Sequence, residues 1–141
     1  MTERTGSRRT GIGWLIAWAP TLLWAGLIFA FSAQPELRFA PDDALDFVVR
    51  KIGHMGVFGI LALLIWRALA VTSSLRRPWA WALALTVIYA ITDEVHQGLV
   101  GRHASALDVG FDATGALLAV AAVHILRSKW ARLRDWDSLW R

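Results

Sequence analysis

The sequence predicts an all-α integral membrane protein, a four-helix bundle with both termini in the cytoplasm. Three observations lead to this fold class. Hydrophobic residues make up 56% of the 141 residues and charged residues only 18%, against about 25% charged residues in ordinary soluble domains. The apolar residues fall into four long segments. Lysine and arginine cluster between these segments, as they do in proteins whose charges set their orientation in a membrane.

The first apolar segment, residues 12–31, carries no charge over 20 residues. That length crosses the hydrocarbon core of a bilayer, which is about 30 Å thick. A basic stretch with Arg8 and Arg9 precedes it, and this arrangement also suits a secretory signal peptide. Because the apolar core of a signal peptide is shorter, about 7–15 residues, we predict that the segment is an uncleaved first span.

Three further spans are predicted along the chain. The second covers residues 52–71 and follows an acidic loop, residues 32–51. The third starts at Trp79, stays apolar through Ile91 and then becomes polar. The fourth covers residues 109–126. Each segment is long enough to cross a bilayer or nearly so.

Basic residues distinguish the two sides of the predicted bundle. The amino terminus, the 72–78 turn and the tail hold 3, 2 and 5 lysines and arginines, whereas the 32–51 loop and the 98–108 turn hold 3 and 1. Positive charge collects on the cytoplasmic side of membrane proteins, so both acidic connections are expected outside. An aromatic belt is expected at the cytoplasmic interface, formed by Trp14, Trp66, Trp79, Trp81 and Trp130.

This orientation gives the predicted domain organisation. Residues 1–11 form a basic cytoplasmic amino terminus, residues 12–126 form the four-span membrane domain, and residues 127–141 form a cytoplasmic tail. The tail is rich in arginine and tryptophan, a composition typical of an amphipathic helix lying at the membrane surface. The lipid bilayer is therefore the first predicted partner.

The net charge of +4 does not indicate nucleic-acid binding. The basic residues flank apolar segments instead of lining one polar face, and a nucleic-acid-binding surface requires the latter. Cysteine is absent, which excludes disulfides and thiolate metal sites. No cofactor is predicted.

Polar side chains concentrate where the third span ends and the fourth begins. The predicted topology brings seven of them to one membrane depth: His54, Asp93, Glu94, Gln97, Arg102, Asp108 and Asp112. A carboxylate at the bilayer centre costs about 2.5–3.5 kcal/mol on insertion scales, so such groups usually face a partner, a water-filled cavity or a ligand. Helical spacing places Asp93 with Gln97, and Asp108 with Asp112, on shared faces. Arg102 is the expected counter-charge, while His96 and His103 are expected to be solvated.

Several motifs resemble those of the VanZ-like family. They are FSAQP at 31–35, Lys51-x-x-His54 followed by Phe58, Asp93-Glu94-x-x-Gln97, Arg102, and Asp108-x-x-x-Asp112-x-x-Gly115. Their order and spacing match over residues 20–126. The family is named for a protein associated with teicoplanin resistance in Gram-positive bacteria. The resemblance implies a small multi-pass protein of the cell membrane, with a link to glycopeptide resistance that the family name suggests.

The sequence departs from the family pattern at three positions of this region. Family members usually have asparagine where Asp112 stands, tyrosine where Phe58 stands, and often aspartate where Arg50 stands. The extra carboxylate at 112 makes the predicted site more anionic, and the phenyl ring at 58 lacks a hydroxyl group for hydrogen bonding.

The first functional hypothesis is an acidic, polar pocket that recognises the polar head of a cell-wall or lipid-linked molecule at the outer leaflet. In this hypothesis carboxylates accept hydrogen bonds, amide and imidazole groups orient the ligand, and Arg102 pairs with a phosphate or balances the acids. The carboxylates are Asp93, Glu94, Asp108 and Asp112, and the orienting groups are Gln34, His54 and Gln97.

Other interpretations of the same residues stay open. In a hydrolase or transferase acting on a lipid-linked substrate, Glu94 or Asp93 would be the general acid or base and His54 would assist. A small transporter coupled to protons or cations is a further alternative. The cluster could also be a structural network that locks the helix ends. A divalent metal held by His54 and nearby carboxylates is chemically reasonable, but no His-x-x-x-His pair occurs, and no metal site is predicted.

Overall fold

The computed structural model describes residues 11–34, 40–102 and 104–138. They form four α-helices and, within these ranges, no strand. The helices are α1 (Gly11–Ser32), α2 (Asp43–Thr72), α3 (Pro78–Leu99) and α4 (Ala106–Ser138). The predicted all-α fold class is confirmed. Residues 1–10, 35–39, 103 and 139–141 lie outside the described residues.

Helix α2 begins nine residues before the predicted second span. Asp42 has an extended backbone and its side chain accepts a hydrogen bond from the backbone N–H of Leu45, which makes it the N-cap. Asp43 and Asp46 occupy the first turn, where the helix dipole favours negative charge. The acidic residues that were assigned to a loop therefore start the helix. The predicted loop over residues 32–51 is therefore wrong for residues 43–51, because Asp42 caps a helix that starts there; where the membrane span within α2 begins stays a prediction.

Helix α4 continues past the predicted end of the fourth span at residue 126. It runs without interruption to Ser138, so the helical character expected of the tail extends through that residue. The assignment of residues 127–141 to the membrane surface stays a prediction, as do the cytoplasmic location of both termini and the domain boundaries.

Three of the four helices are long and apolar enough to cross a membrane. They are α1, α2 and the Ala106–Lys129 part of α4. Helix α3 is as long as α1, with 22 residues, but Asp93, Glu94 and Gln97 occupy its last two turns and lower its mean hydropathy. The described residues thus contain three candidate spans, and a crossing by α3 stays a prediction.

Helix α2 lies at the centre of the bundle. It packs against α1, α3 and α4, and α3 also packs against α4. The core around α2 contains Phe58, Leu61, Ala62, Ala116 and Val120, all of which are buried.

Two glycines allow α2 and α4 to approach closely. A Cβ atom added to Gly115 would lie 2.1 Å from the Met55 carbonyl oxygen. One added to Gly59 would lie 3.1 Å from the Gly115 carbonyl oxygen. Small residues at a contact permit this kind of backbone approach between membrane helices.

The tryptophans do not form the expected belt as a single set. Trp14 and Trp81 are exposed, as a belt requires, but Trp66 is buried. Its ring stacks on His124 at 5.0 Å between centroids, and the Arg127 guanidinium lies 4.8 Å from the ring centroid. Trp66 therefore belongs to the α2–α4 packing and not to an interface. The side chain of Trp130 lies outside the described residues.

Candidate functional site

The polar residues singled out in the sequence converge at one end of the bundle. This end is formed by the last turn of α1, the first half of α2, the carboxyl end of α3 and the first turns of α4. Hydrogen bonds and ion pairs there join α1 to α3, α3 to the residue before α4, and α2 to α4. The predicted meeting of the third and fourth segments is therefore present in the structure. The side of the membrane on which it lies stays a prediction.

Asp93 joins α3 to α1. Its side chain is 2% exposed. The carboxylate oxygen Oδ2 accepts hydrogen bonds from the Ser32 hydroxyl and from the Gln97 amide, both at 2.8 Å. The backbone carbonyl of Ser32 in turn accepts a hydrogen bond of 3.0 Å from Arg102 Nη1. Asp93 thereby fixes the residue that holds Arg102.

Glu94 joins α3 to the start of α4. It is buried, and its carboxylate accepts a hydrogen bond from the backbone N–H of Ser105. Ser105 precedes the first residue of α4, and its hydroxyl accepts a hydrogen bond of 3.2 Å from the Leu107 backbone N–H. Backbone N–H groups at a helix start need such acceptors. Glu94 therefore holds the entry to α4.

The acids of α4 lie opposite basic side chains of α2. Lys51 forms an ion pair with Asp108, and the imidazole Nδ1 of His54 lies 3.4 Å from Asp112 Oδ1. Asp112 is 2% exposed. Arg102 was predicted as the counter-charge of these acids, and this prediction is wrong among the described residues. Lys51 and His54 take that role because the close contact of α2 with α4 puts them directly opposite Asp108 and Asp112.

A cavity of about 420 Å³ opens beside this network, between α1 and α2. Its wall is mainly apolar, and its polar side chains lie at the network end. The apolar lining consists of Trp24, Leu27, Ile28, Phe31, Val49, Gly53, Val57 and Phe58, and the polar lining of Ser32, Arg50, His54 and Arg102. An apolar cavity with a few convergent polar groups is the usual form of a small-molecule site.

Predicted site residues therefore divide into two groups. His54 and Arg102 line the cavity, whereas Asp93, Glu94, Gln97, Asp108 and Asp112 are not among its lining residues and bind other parts of the described chain. Gln34 is exposed just beyond the end of α1 and is not a lining residue either.

Two histidines were expected to be solvated. His96 is not: its ring stacks on Phe29 with centroids 3.9 Å apart. His103 lies outside the described residues.

Arg50 lines the cavity but was not predicted as a site residue, because the sequence predicts a loop at this position. Arg50 had been placed in a loop, yet it lies on α2, where its Nε pairs with Asp46 at 2.9 Å. Positions 50, 53, 54 and 57 recur at helical spacing and all line the cavity. This periodicity was visible in the sequence once the helix was extended to Asp43. Trp24, whose Nε1 donates to the Val57 carbonyl at 3.0 Å, carried no comparable signal.

Phe58 stands where the family usually has tyrosine. It is fully buried, and its ring lies between His54 and Tyr89, at 6.3 and 6.2 Å between centroids. The hydroxyl of Tyr89 donates a hydrogen bond of 2.6 Å to the Ala25 carbonyl, which joins α3 to α1. Among the described residues, no group of three or more histidines and carboxylates is arranged to hold a metal ion.

Three helices long and apolar enough to cross a bilayer fit a membrane protein. The chain belongs to the VanZ/LLP1 family, whose family model matches residues 13–127. The resemblance found in the motifs is thus confirmed over the four helices. No curated protein and no solved structure matches the chain significantly.

Proposed function

We propose that this protein binds the polar head of a cell-envelope lipid or lipid-linked molecule in the cavity between α1 and α2. The observation that carries the proposal is the composition of the cavity wall, which is apolar along the helices and polar at one end. A molecule with a hydrocarbon chain and a polar head is complementary to both parts. The volume of about 420 Å³ falls in the usual range of ligand sites, about 300–1,000 Å³.

The acids have a supporting role in this proposal. Asp93 holds Ser32, and Asp112 lies behind His54. A binding site is precise when supporting residues hold the ligand-contacting side chains in one geometry. The head would meet His54, Arg102 and Ser32, while the carboxylates keep these side chains in place. The outer-leaflet position of the cavity belongs to the proposal and comes from the charge distribution of the sequence.

Lipid analysis of the purified protein tests the proposal. The protein is extracted in an uncharged detergent, and co-purifying lipids are identified by mass spectrometry. We expect the wild type to retain a lipid that Gly53→Leu loses, because Gly53 lines the cavity and a side chain there extends into open space. Gly56→Leu is the matched control, since it lies one turn away, also has open space at Cβ, and is not a lining residue.

Equal lipid content in the wild type and Gly53→Leu would refute the proposal. The family name also suggests a readout in cells, since it links the family to glycopeptide resistance. If the bound molecule belongs to the cell envelope, Gly53→Leu should change the sensitivity of the host to teicoplanin at equal protein level, and Gly56→Leu should not.

One observation favours a second candidate, a hydrolase or transferase acting on the same molecule. His54 lines the cavity and has the buried carboxylate of Asp112 at its Nδ1 side, which is how a carboxylate orients a histidine general base. An enzyme would release a cleaved product from the lipid, whereas a binding protein would return it intact. Mass spectrometry of lipid incubated with wild type and His54→Gln distinguishes them, because only an enzyme gives a product that the variant fails to form.

A further inference from the structure

The charged groups that line the cavity are cationic. Among the described lining residues these are Arg50 and Arg102, and the imidazole of His54 lies beside them. The acids of the same end are engaged elsewhere: Asp46 with Arg50, Asp108 with Lys51, and Asp112 at the His54 ring. The cavity therefore presents positive charge to a ligand even though acids are numerous around it.

Arg102 is the cation whose charge is least balanced. Arg50 and Lys51 each have a carboxylate partner, but Arg102 makes no ion pair within the described residues. Its Nη1 donates to the uncharged carbonyl of Ser32 at 3.0 Å, and its buried Nε has no hydrogen-bond partner there. A guanidinium beside apolar surface is costly without an anion. Its planar set of donors fits phosphate oxygens in a bidentate manner.

The apolar wall determines what else the ligand carries. Leu27, Ile28 and Phe31 on α1 face Val49 and Val57 on α2 across the cavity. Leu27 and Phe31 are largely exposed, so the cavity is continuous with the outer surface of the bundle. A hydrocarbon chain could lie along this wall and continue into the surrounding lipid, with its head held at the polar end. Free phosphate would leave the apolar wall without a partner.

We infer that the cavity takes an anionic amphiphile, a membrane lipid or lipid-linked molecule whose phosphate head binds Arg102 and Arg50 and whose chain lies between α1 and α2. The inference rests on the proposed function and specifies the ligand class. Selectivity comes from net negative charge, because a zwitterionic lipid brings its own cation to the arginines.

Lipid titration monitored by native mass spectrometry tests the inference. The probes are phosphatidylglycerol and phosphatidylcholine with identical acyl chains, added to the full chain in an uncharged detergent. We expect phosphatidylglycerol to bind about tenfold more tightly, and Arg102→Gln to lower its affinity about tenfold while lowering that of phosphatidylcholine much less. Arg67→Gln is the matched control, because Arg67 is an exposed arginine of the same helix as Arg50, about 25 Å further along it.

The variants separate loss of binding from loss of folding. Arg102→Lys keeps the charge but not the planar donor set, so it should retain part of the preference for the anionic lipid. Unchanged unfolding temperature of Arg102→Gln and Arg102→Lys in detergent would show that the altered affinity is local. If Arg102→Gln does not accumulate, Arg102→Lys is used in its place. The inference is overturned if both Arg102→Lys and Arg50→Gln keep the wild-type preference for the anionic lipid.

The inference and the proposed function can fail separately. If both lipids bind equally and Gly53→Leu abolishes both, the cavity binds lipid without charge selectivity, and only the inference is refuted. If inorganic phosphate displaces phosphatidylglycerol at similar concentration, the apolar wall contributes nothing and the amphiphile assignment is refuted. If neither lipid binds the wild type better than Gly53→Leu, both proposals fall.

Discussion

Gly115 gives the sharpest test of the fold. A methyl group there, as in Gly115→Ala, would lie 2.1 Å from the Met55 carbonyl oxygen and 2.5 and 2.6 Å from the Met55 Cα and carbonyl carbon. Two non-bonded carbon atoms attract each other most strongly at a separation of about 3.5–4.0 Å. Because the opposing atoms are backbone, no side-chain rotation relieves the contact. Helices α2 and α4 would have to separate by at least about 1 Å at this level.

The cost of this separation can be bounded. Overpacking a well-packed interior costs about 1–3 kcal/mol and occasionally more. The cost of Gly115→Ala should lie near the upper end of this range. Moving α4 also strains the contacts of Lys51 with Asp108 and of His54 with Asp112. A loss of about 3 kcal/mol lowers the folded-to-unfolded ratio more than 100-fold, since about 1.4 kcal/mol is a factor of ten.

A matched control lies on the same helix. Gly110 has no atom within 4 Å of its added Cβ, and alanine is favoured over glycine in a helix by about 0.8–1.0 kcal/mol. Gly110→Ala should therefore be neutral or stabilising. The assay is unfolding of the purified protein by SDS in mixed micelles, followed by tryptophan fluorescence. Equal stability of Gly115→Ala and Gly110→Ala would show that α2 and α4 do not approach as described.

Three further predictions use the same unfolding assay. Lys51→Ala and Asp108→Ala should each destabilise the protein by about 1–3 kcal/mol, and the double variant by less than the sum; additive losses would mean that the ion pair does not form. Ser32→Ala should cost about 1–3 kcal/mol because it removes a hydrogen bond to buried Asp93, and an unchanged unfolding midpoint would contradict this bond. Tyr89→Phe should lower the free energy of unfolding by about 1 kcal/mol because it removes the hydrogen bond to the Ala25 carbonyl. An unchanged free energy of unfolding would contradict that bond.

The helices and the meeting of the polar residues could be predicted from the sequence because both depend on patterns along the chain. Long uncharged segments predict the helices. Because successive helices cross the membrane in opposite directions, the end of one lies at the same depth as the start of the next. Asp93 and Asp108 were therefore expected at one end of the bundle, where they lie.

The start of α2 and the partners of the acids could not be predicted in the same way. Asp42, Asp43 and Asp46 read as a polar loop unless one of them is recognised as an N-cap, since caps and loops have the same composition. The pairing of Lys51 with Asp108 depends on the distance between α2 and α4, which the glycine contact sets. The cavity depends on the distance between α1 and α2, which the residue pattern of neither helix predicts.

The central position of α2 limits which of its residues are free to change. Between positions 50 and 59, one side of the helix lines the cavity and the other meets α4 at Met55 and Gly59. Ile52, Gly56 and, just beyond this stretch, Ile60 are exposed and do not line the cavity, and these positions recur every four residues along one edge of the helix. Saturation mutagenesis of this stretch should show that exchanges among apolar residues are accepted at Ile52, Gly56 and Ile60 and rejected at Phe58 and Gly59, which are buried against neighbouring helices.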